Sequence, residues 1–221
     1  MNMTFSIIGM DKKKGEIGVA TATKAMACGA YVPFAKAEVG GVATQAYTNS
    51  LYREKAIALM EKGVKPSEVI SALVKSDKGS ELRQVIVINK NSVSACFTGK
   101  KTIHFAGHVS GKDFVCAGNT LVGRQVLDAL SKTFVKSKGN LADRLIKSLI
   151  AGEKVGGDKR NKPYGSASLF VVKKDKGPCG IGDRWIDLRI DYSTTPIQDL
   201  QVLLEKRMEI EKFYSTKLKK S

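Results

Sequence analysis

The chain has 221 residues, with 37 Lys and Arg against 21 Asp and Glu, a formal net charge of +16. At 43% hydrophobic residues it is too apolar for a disordered chain, and it is long enough to bury a core without disulfide or metal staples. No apolar run approaches the ~18–20 residues of a membrane helix. The start Met1-Asn2-Met3-Thr4-Phe5 shows no signal-peptide pattern, so a cytoplasmic protein is expected.

The positive charge comes from 29 lysines and only 8 arginines, and the lysines scatter through turns and the C-terminal tail. Such a distribution reads as a solvated surface rather than a specific nucleic-acid interface, which leans on arginine. A salt-sensitive, non-specific affinity for nucleic acid is a third-ranked reading. Cys28, Cys96, Cys116 and Cys179 contain no C-x-x-C pair, and Cys96 and Cys116 read as small buried hydrophobes.

In chain order, residues 4–9 and 16–23 form two strands around the turn Asp11–Gly15. The second alternates Ile17, Val19, Thr21 and Thr23 with small Gly18, Ala20 and Ala22, so its small face should meet another layer closely. Residues 37–47 form a third strand, with a bulge at Gly40-Gly41. Helices follow over 51–62, stopped by Gly63, and from Pro66, carrying Val69, Ile70, Leu73 and Val74. Strands 84–88 and 92–97 flank a turn at Asn89-Lys90-Asn91. A loop holding His104 and His108 leads to a short strand over 113–117. Helices over 121–136 and 140–151 precede a polar loop from Gly156 to Gly165. Strands 166–172 and 184–190 come next. A last helix opens at Thr195-Pro196, with Gln198 closing a capping box, and frays beyond Phe213.

No linker divides the chain, so residues 1–221 are expected to form one domain. Helix pairs set between hairpins predict an α+β fold of two stacked sheets with helices outside. Motifs for P-loop, Rossmann and α/β-hydrolase chemistry are absent. Two histidines without nearby acidic residues do not make a metal site, and no cofactor is expected. In Asp183 to Asp191, period two places Asp183, Asp187, Arg189 and Asp191 on one face and Arg184 on the other. Thr4 opens the first strand. If the residues before it are removed, its hydroxyl becomes a nucleophile and its own α-amine the base.

Five stretches occur in order: Met3–Ile7, Ala43–Asn49, Cys116–Asn119, Gly156–Arg160 and Asp183–Asp191. Together they make the chain resemble the family called domain of unknown function 1028, from about Met3 to Leu204. That family is similar in fold to the N-terminal-nucleophile (Ntn) hydrolases, a four-layer α-β-β-α sandwich. The resemblance implies hydrolysis of an amide bond in a small polar substrate, with Thr4 as nucleophile and backbone amides or Asn119 holding the oxyanion. Asp158, Arg160, Asp183 and Arg184, with Thr44, Gln45 and Asn49, are the implied substrate-binding positions. A homo-oligomer, most simply a dimer, is implied as well. The chain departs from the family where Met1-Asn2 precede the usual start and where Ala117 replaces a common Gln. The alternative is a non-catalytic binding or assembly protein on the same scaffold.

Overall fold

A computed structural model describes residues 4–103, 105–157 and 163–218, with the side chains of 214–218 excepted. Strands β1 (Thr4–Asp11) and β2 (Glu16–Thr23) form a regular antiparallel hairpin. Strands β3 (Pro33–Lys36) and β4 (Gly40–Ala46) follow, then helices α1 (Leu51–Glu61) and α2 (Pro66–Lys75). Next come β5 (Arg83–Asn89), β6 (Ser94–Thr98), β7 (Phe105–Gly111) and β8 (Phe114–Leu121). Helices α3 (Gln125–Lys136) and α4 (Leu141–Lys154) precede β9 (Gly165–Val172), β10 (Arg184–Ser193) and α5 (Pro196–Leu218).

The strands pair into two antiparallel sheets, one ordered β10-β9-β2-β1-β8-β7 and one ordered β3-β4-β5-β6. Period-two alternation then divides each strand between two packing levels. On β1, Phe5 and Ile7 join the buried cluster that holds Leu130, Leu145 and Leu200 of α3, α4 and α5. Ile8 and Met10 join Ala43, Ile86 and Ile88 of the four-stranded sheet in a second cluster. Val42, Val85 and Val87 turn to a third cluster with Tyr52, Ile57 and Leu73 of α1 and α2. The packing levels are therefore helix–sheet, sheet–sheet and sheet–helix, and the fold is mixed α+β, with two antiparallel sheets and five α-helices among the described residues.

The small face of β2 lies where α4 comes closest. A Cβ on Gly18 would stand 2.5 Å from Leu145 Cδ1, and one on its pairing partner Gly9 would stand 2.5 Å from the Phe134 ring.

Several expectations are corrected. The third predicted strand is β4, shorter than expected and paired in regular register with an unpredicted strand β3 before it, without a bulge at Gly40-Gly41. Those glycines serve close approach instead: a Cβ on Gly40 would lie 2.4 Å from Ile88 O, and one on Gly41 2.8 Å from Ile8 Cγ2. The expected loop before residue 113 is largely edge strand β7, which carries His108; His104 lies outside the described residues. Strand β8 runs on to Leu121, so Asn119 stands on a strand and α3 starts later, at Gln125. Helix α5 continues past Phe213 to Leu218. Gln198 does not close a capping box: its Nε2 donates to Glu153 at 2.7 Å, while the Thr195 N–H is taken by Ser193 Oγ at 2.9 Å.

Candidate functional site

The space between the sheets changes character along its length. Toward one end it is apolar, filled by Met10, Ile17, Ile88 and Val172. Toward the other end the same alternation delivers Thr4 and Ser6 from β1, Thr21 and Thr23 from β2, and Asn119 from β8. Gln45 and Gln84 arrive from the facing sheet, and all seven are buried. Thr4, at 1% exposure, pairs in register with Thr23 on one side and Asn119 on the other. The two threonine hydroxyls are 3.4 Å apart.

Gln84 organises this end. Its Nε2 has two hydrogens to share among three oxygens within reach, Gly118 O at 2.9 Å, Gly107 O at 3.0 Å and Thr98 Oγ1 at 2.9 Å. Two of these partners are carbonyls, which only accept, so the amide orientation is settled. Gln84 Oε1 then accepts from Gln45 Nε2 at 2.8 Å and from Asn119 Nδ2 at 3.1 Å. Gln45 Nε2 and Asn119 Nδ2 also reach Thr4 O, at 3.4 and 3.5 Å. Gln45 Oε1, left as acceptor, takes the Ser6 hydroxyl at 2.6 Å, so Thr21 Oγ1, 2.7 Å away, donates to Ser6. The network reaches an imidazole at its outer edge, where Thr98 Oγ1 lies 3.3 Å from His108 Nδ1. Its chemistry is that of hydroxyls and amides holding the first described residue of a central strand.

The backbone next to both amides is unusual. Ala46, after Gln45, has φ of 69°, and Thr120, after Asn119, has φ of 51°. A β-branched residue in the left-handed region costs of order 1–3 kcal/mol and persists only where the surroundings enforce it. The polar loop also reaches this end. Gly157, with φ of 47°, accepts from Val122 N at 3.4 Å, and a Cβ on it would lie 3.4 Å from the Phe5 ring.

The structure distributes the remaining expected site residues elsewhere. Thr44 alternates with Gln45 and therefore faces α1, where its hydroxyl donates to Asn49 O at 3.2 Å. Asn49 belongs to a cluster around Asp77, whose Oδ2 accepts from Asn49 Nδ2 at 3.0 Å, Tyr52 OH at 2.9 Å and Arg83 Nε at 3.0 Å. Arg184 pairs with Val172, which lies opposite Ile17, which lies opposite Met10. It therefore stands at the far end of the sheet, about 20 Å along the strand direction from Thr4 and three strands across. Asp183 sits beside it, with Oδ1 accepting from Asp175 N at 3.1 Å. A register shift between Arg184 and Ile186 also overturns the period-two reading there. Arg184 lies on the same side as Asp187 and pairs with it at 3.0 Å, over the Phe170 ring. Asp158 and Arg160 lie outside the described residues.

Among the described residues no group of three metal-ligating side chains occurs. Burial lowers the pKa of His108, whose Nδ1 is 3.3 Å from Thr98 Oγ1. All four cysteines are free. Burial pushes the Cys28, Cys96 and Cys116 thiols up to about 12, whereas Cys179 is exposed. A thiol-specific reagent at pH 8 is therefore expected to label one cysteine per native chain rapidly and all four only after unfolding. Rapid labelling of a second thiol in native protein would contradict this burial pattern.

Fold and site together define an α+β protein of paired antiparallel sheets whose interface closes on a buried hydroxyl–amide network. The model for the family of unknown function DUF1028 matches residues 4–200, and the chain belongs to that family. A crystal structure of a DUF1028 protein from Silicibacter pomeroyi is similar at a TM-score of 0.83 and 29% identity, covering 92% of this chain and 88% of that one. No curated protein matches the chain.

Proposed function

We propose that the protein is an Ntn-hydrolase-like amidase for a small polar substrate, with Thr4 as nucleophile. The supporting observation is the placement of Thr4 at the start of a central strand. Its side chain faces the polar end of the inter-sheet space, and its carbonyl lies within reach of Gln45 and Asn119. The base in this reading is the α-amine of Thr4 itself, so the reading requires the bond between Met3 and Thr4 to be cut. The freed α-amine, with a pKa near ~7.7–8.0, is substantially neutral at physiological pH. It takes the Thr4 hydroxyl proton as Oγ1 bonds to the substrate carbonyl carbon. The proton then passes to the leaving amine as the C–N bond breaks, and water hydrolyses the resulting ester to restore the threonine. Asn119 Nδ2 already donates to Gln84, so a role at the oxyanion requires release of its longer contact to Thr4 O.

Intact-mass analysis and an amide-library screen test this. The expected result is a native chain beginning at Thr4, with hydrolysis that falls by about 10³-fold or more in Thr4→Ala and survives in part in Thr4→Ser. A native chain that keeps Met1 quantitatively removes the mechanism. It leaves the same scaffold as a non-catalytic binding or assembly protein, a reading favoured by the mutual satisfaction of Gln45, Gln84 and Asn119.

A further inference from the structure

At the end of the sheets opposite Thr4, the β1–β2 turn, the β7–β8 turn and helices α3 and α4 enclose a groove of about 560 Å³. That is within the range of small-molecule sites, roughly 300–1,000 Å³. Lys12, Lys13, Lys112 and Arg144 line it, and Val135 of α3, 65% exposed, supplies an apolar wall.

Arg144 is singular. Seven of the eight arginines are described, and six of them form ion pairs. Arg144 has no carboxylate partner among the described residues. Its guanidinium is held instead over the Phe134 ring, 4.1 Å from the centroid, with Nη2 donating to Phe134 O at 3.3 Å. Its Nε is buried without a hydrogen-bond partner, so donor capacity is left over. The three lysines are exposed and likewise make no ion pair among the described residues. Two carboxylates also line the groove, Asp11 and Asp113, and Asp11 is already engaged by Lys14 at 3.7 Å.

We propose that this groove binds a phosphorylated small molecule. Four cations against two carboxylates leave an excess that matches a dianionic group and is only half used by a single carboxylate. A guanidinium fixed in place by an aromatic ring loses little freedom on meeting a phosphate, and the flexible lysines complete the charge. Val135 offers the ligand's organic part an apolar contact. The groove and its residues are separate from Thr4, so binding there is measured without any hydrolytic readout and is independent of the amidase reading.

Calorimetric titration of the full chain with inorganic phosphate and pyrophosphate, at physiological ionic strength, tests the proposal. Saturable binding at one site per chain is expected, weakened about ten-fold or more by Arg144→Gln and by Lys112→Gln. It should be unchanged by Lys55→Gln, an exposed lysine on α1. Lys112 lies at the surface, so its substitution keeps the test valid if Arg144→Gln impairs folding. Absence of saturable binding overturns the proposal. So does equal weakening by Lys55→Gln, which marks a diffuse charge effect. Binding of a single-stranded oligonucleotide through the same residues, with none of pyrophosphate, overturns it in favour of a nucleic-acid surface.

Discussion

Replacing Asp77 by alanine is expected to lower stability by about 3–5 kcal/mol, the cost typical of breaking one partner out of a buried ion pair. Asp77 follows α2 and ties three elements together. It receives Asn49 and Tyr52 from the start of α1 and Arg83 from the start of β5, while its other oxygen accepts the Gly79 N–H at 2.7 Å. The Asp77 and Arg83 side chains are only 12% and 14% exposed, so water does not replace what the carboxylate supplies. Asp77→Asn keeps the shape and one acceptor but not the charge, and should cost less, about 1.5–3 kcal/mol.

The pH dependence has a definite sign. Burial alone would raise the Asp77 pKa, but the hydrogen bonds from Asn49, Arg83, Gly79 and Tyr52 outweigh it and hold the carboxyl well below the usual range. A depressed folded-state pKa contributes stability above about pH 4 that fades as the pH drops below it. Burial and the adjacent carboxylate push the Tyr52 phenol the other way, so it remains a donor throughout. Urea denaturation of wild type and Asp77→Asn from pH 7 downward should therefore show a gap that narrows below about pH 4. Equal stability of the two at pH 7, within about 0.5 kcal/mol, would mean that the cluster holds nothing in place.

Much of the layering was legible because side-chain size and polarity alternate without interruption. In β2 the run Ile17, Val19, Thr21, Thr23 was readable as one face and Gly18, Ala20, Ala22 as the other, and the structure puts these faces where the pattern requires. Thr4 was also readable as the first residue of a strand. What period two could not carry was any place where the backbone breaks step. The register shift after Arg184 turns that side chain to the side of Asp187. The strand was expected to end at Ala117, yet β8 runs on through Gly118 and makes Asn119 a strand residue paired with Thr4. Gly107 and Gly111 hid β7. Motif grouping misled at Thr44 and Gln45, which are neighbours in sequence but face opposite layers. Gln84 was missed altogether, although it left a trace. It occupies the same alternation phase as buried Ile86 and Ile88, and Gln45 the same phase as Ala43. A glutamine in a core phase on each of two paired strands calls for a buried partner.

Gln84→Leu should accordingly be among the most damaging single substitutions at the Thr4 end. Leucine fills a similar volume, so the effect is one of polarity rather than of a cavity. The change leaves Gly118 O and Gly107 O without the amide donor, and Gln45 Nε2 and Asn119 Nδ2 with only their longer contacts to Thr4 O. Each buried group left unpaired costs about 1–3 kcal/mol, and a loss of about 4 kcal/mol or more is expected. Gln84→Glu separates the two halves of the side chain's role. It keeps the acceptor for Gln45 and Asn119 but points a carboxylate at two carbonyls, which favours the neutral acid, whose single O–H restores one of the donor bonds. A carboxyl pKa raised on folding contributes stability at low pH that is lost as the pH climbs through the raised value. Gln84→Glu should thus approach wild-type stability as the pH is lowered from 7 toward 5, while Gln84→Leu should not. A cycle with Asn119→Ala tells the network from a sum of separate contacts. If Gln84 acts through Asn119, the double variant loses about 1 kcal/mol or more less than the two single losses combined, whereas additivity within about 0.5 kcal/mol would show the two amides to be independent.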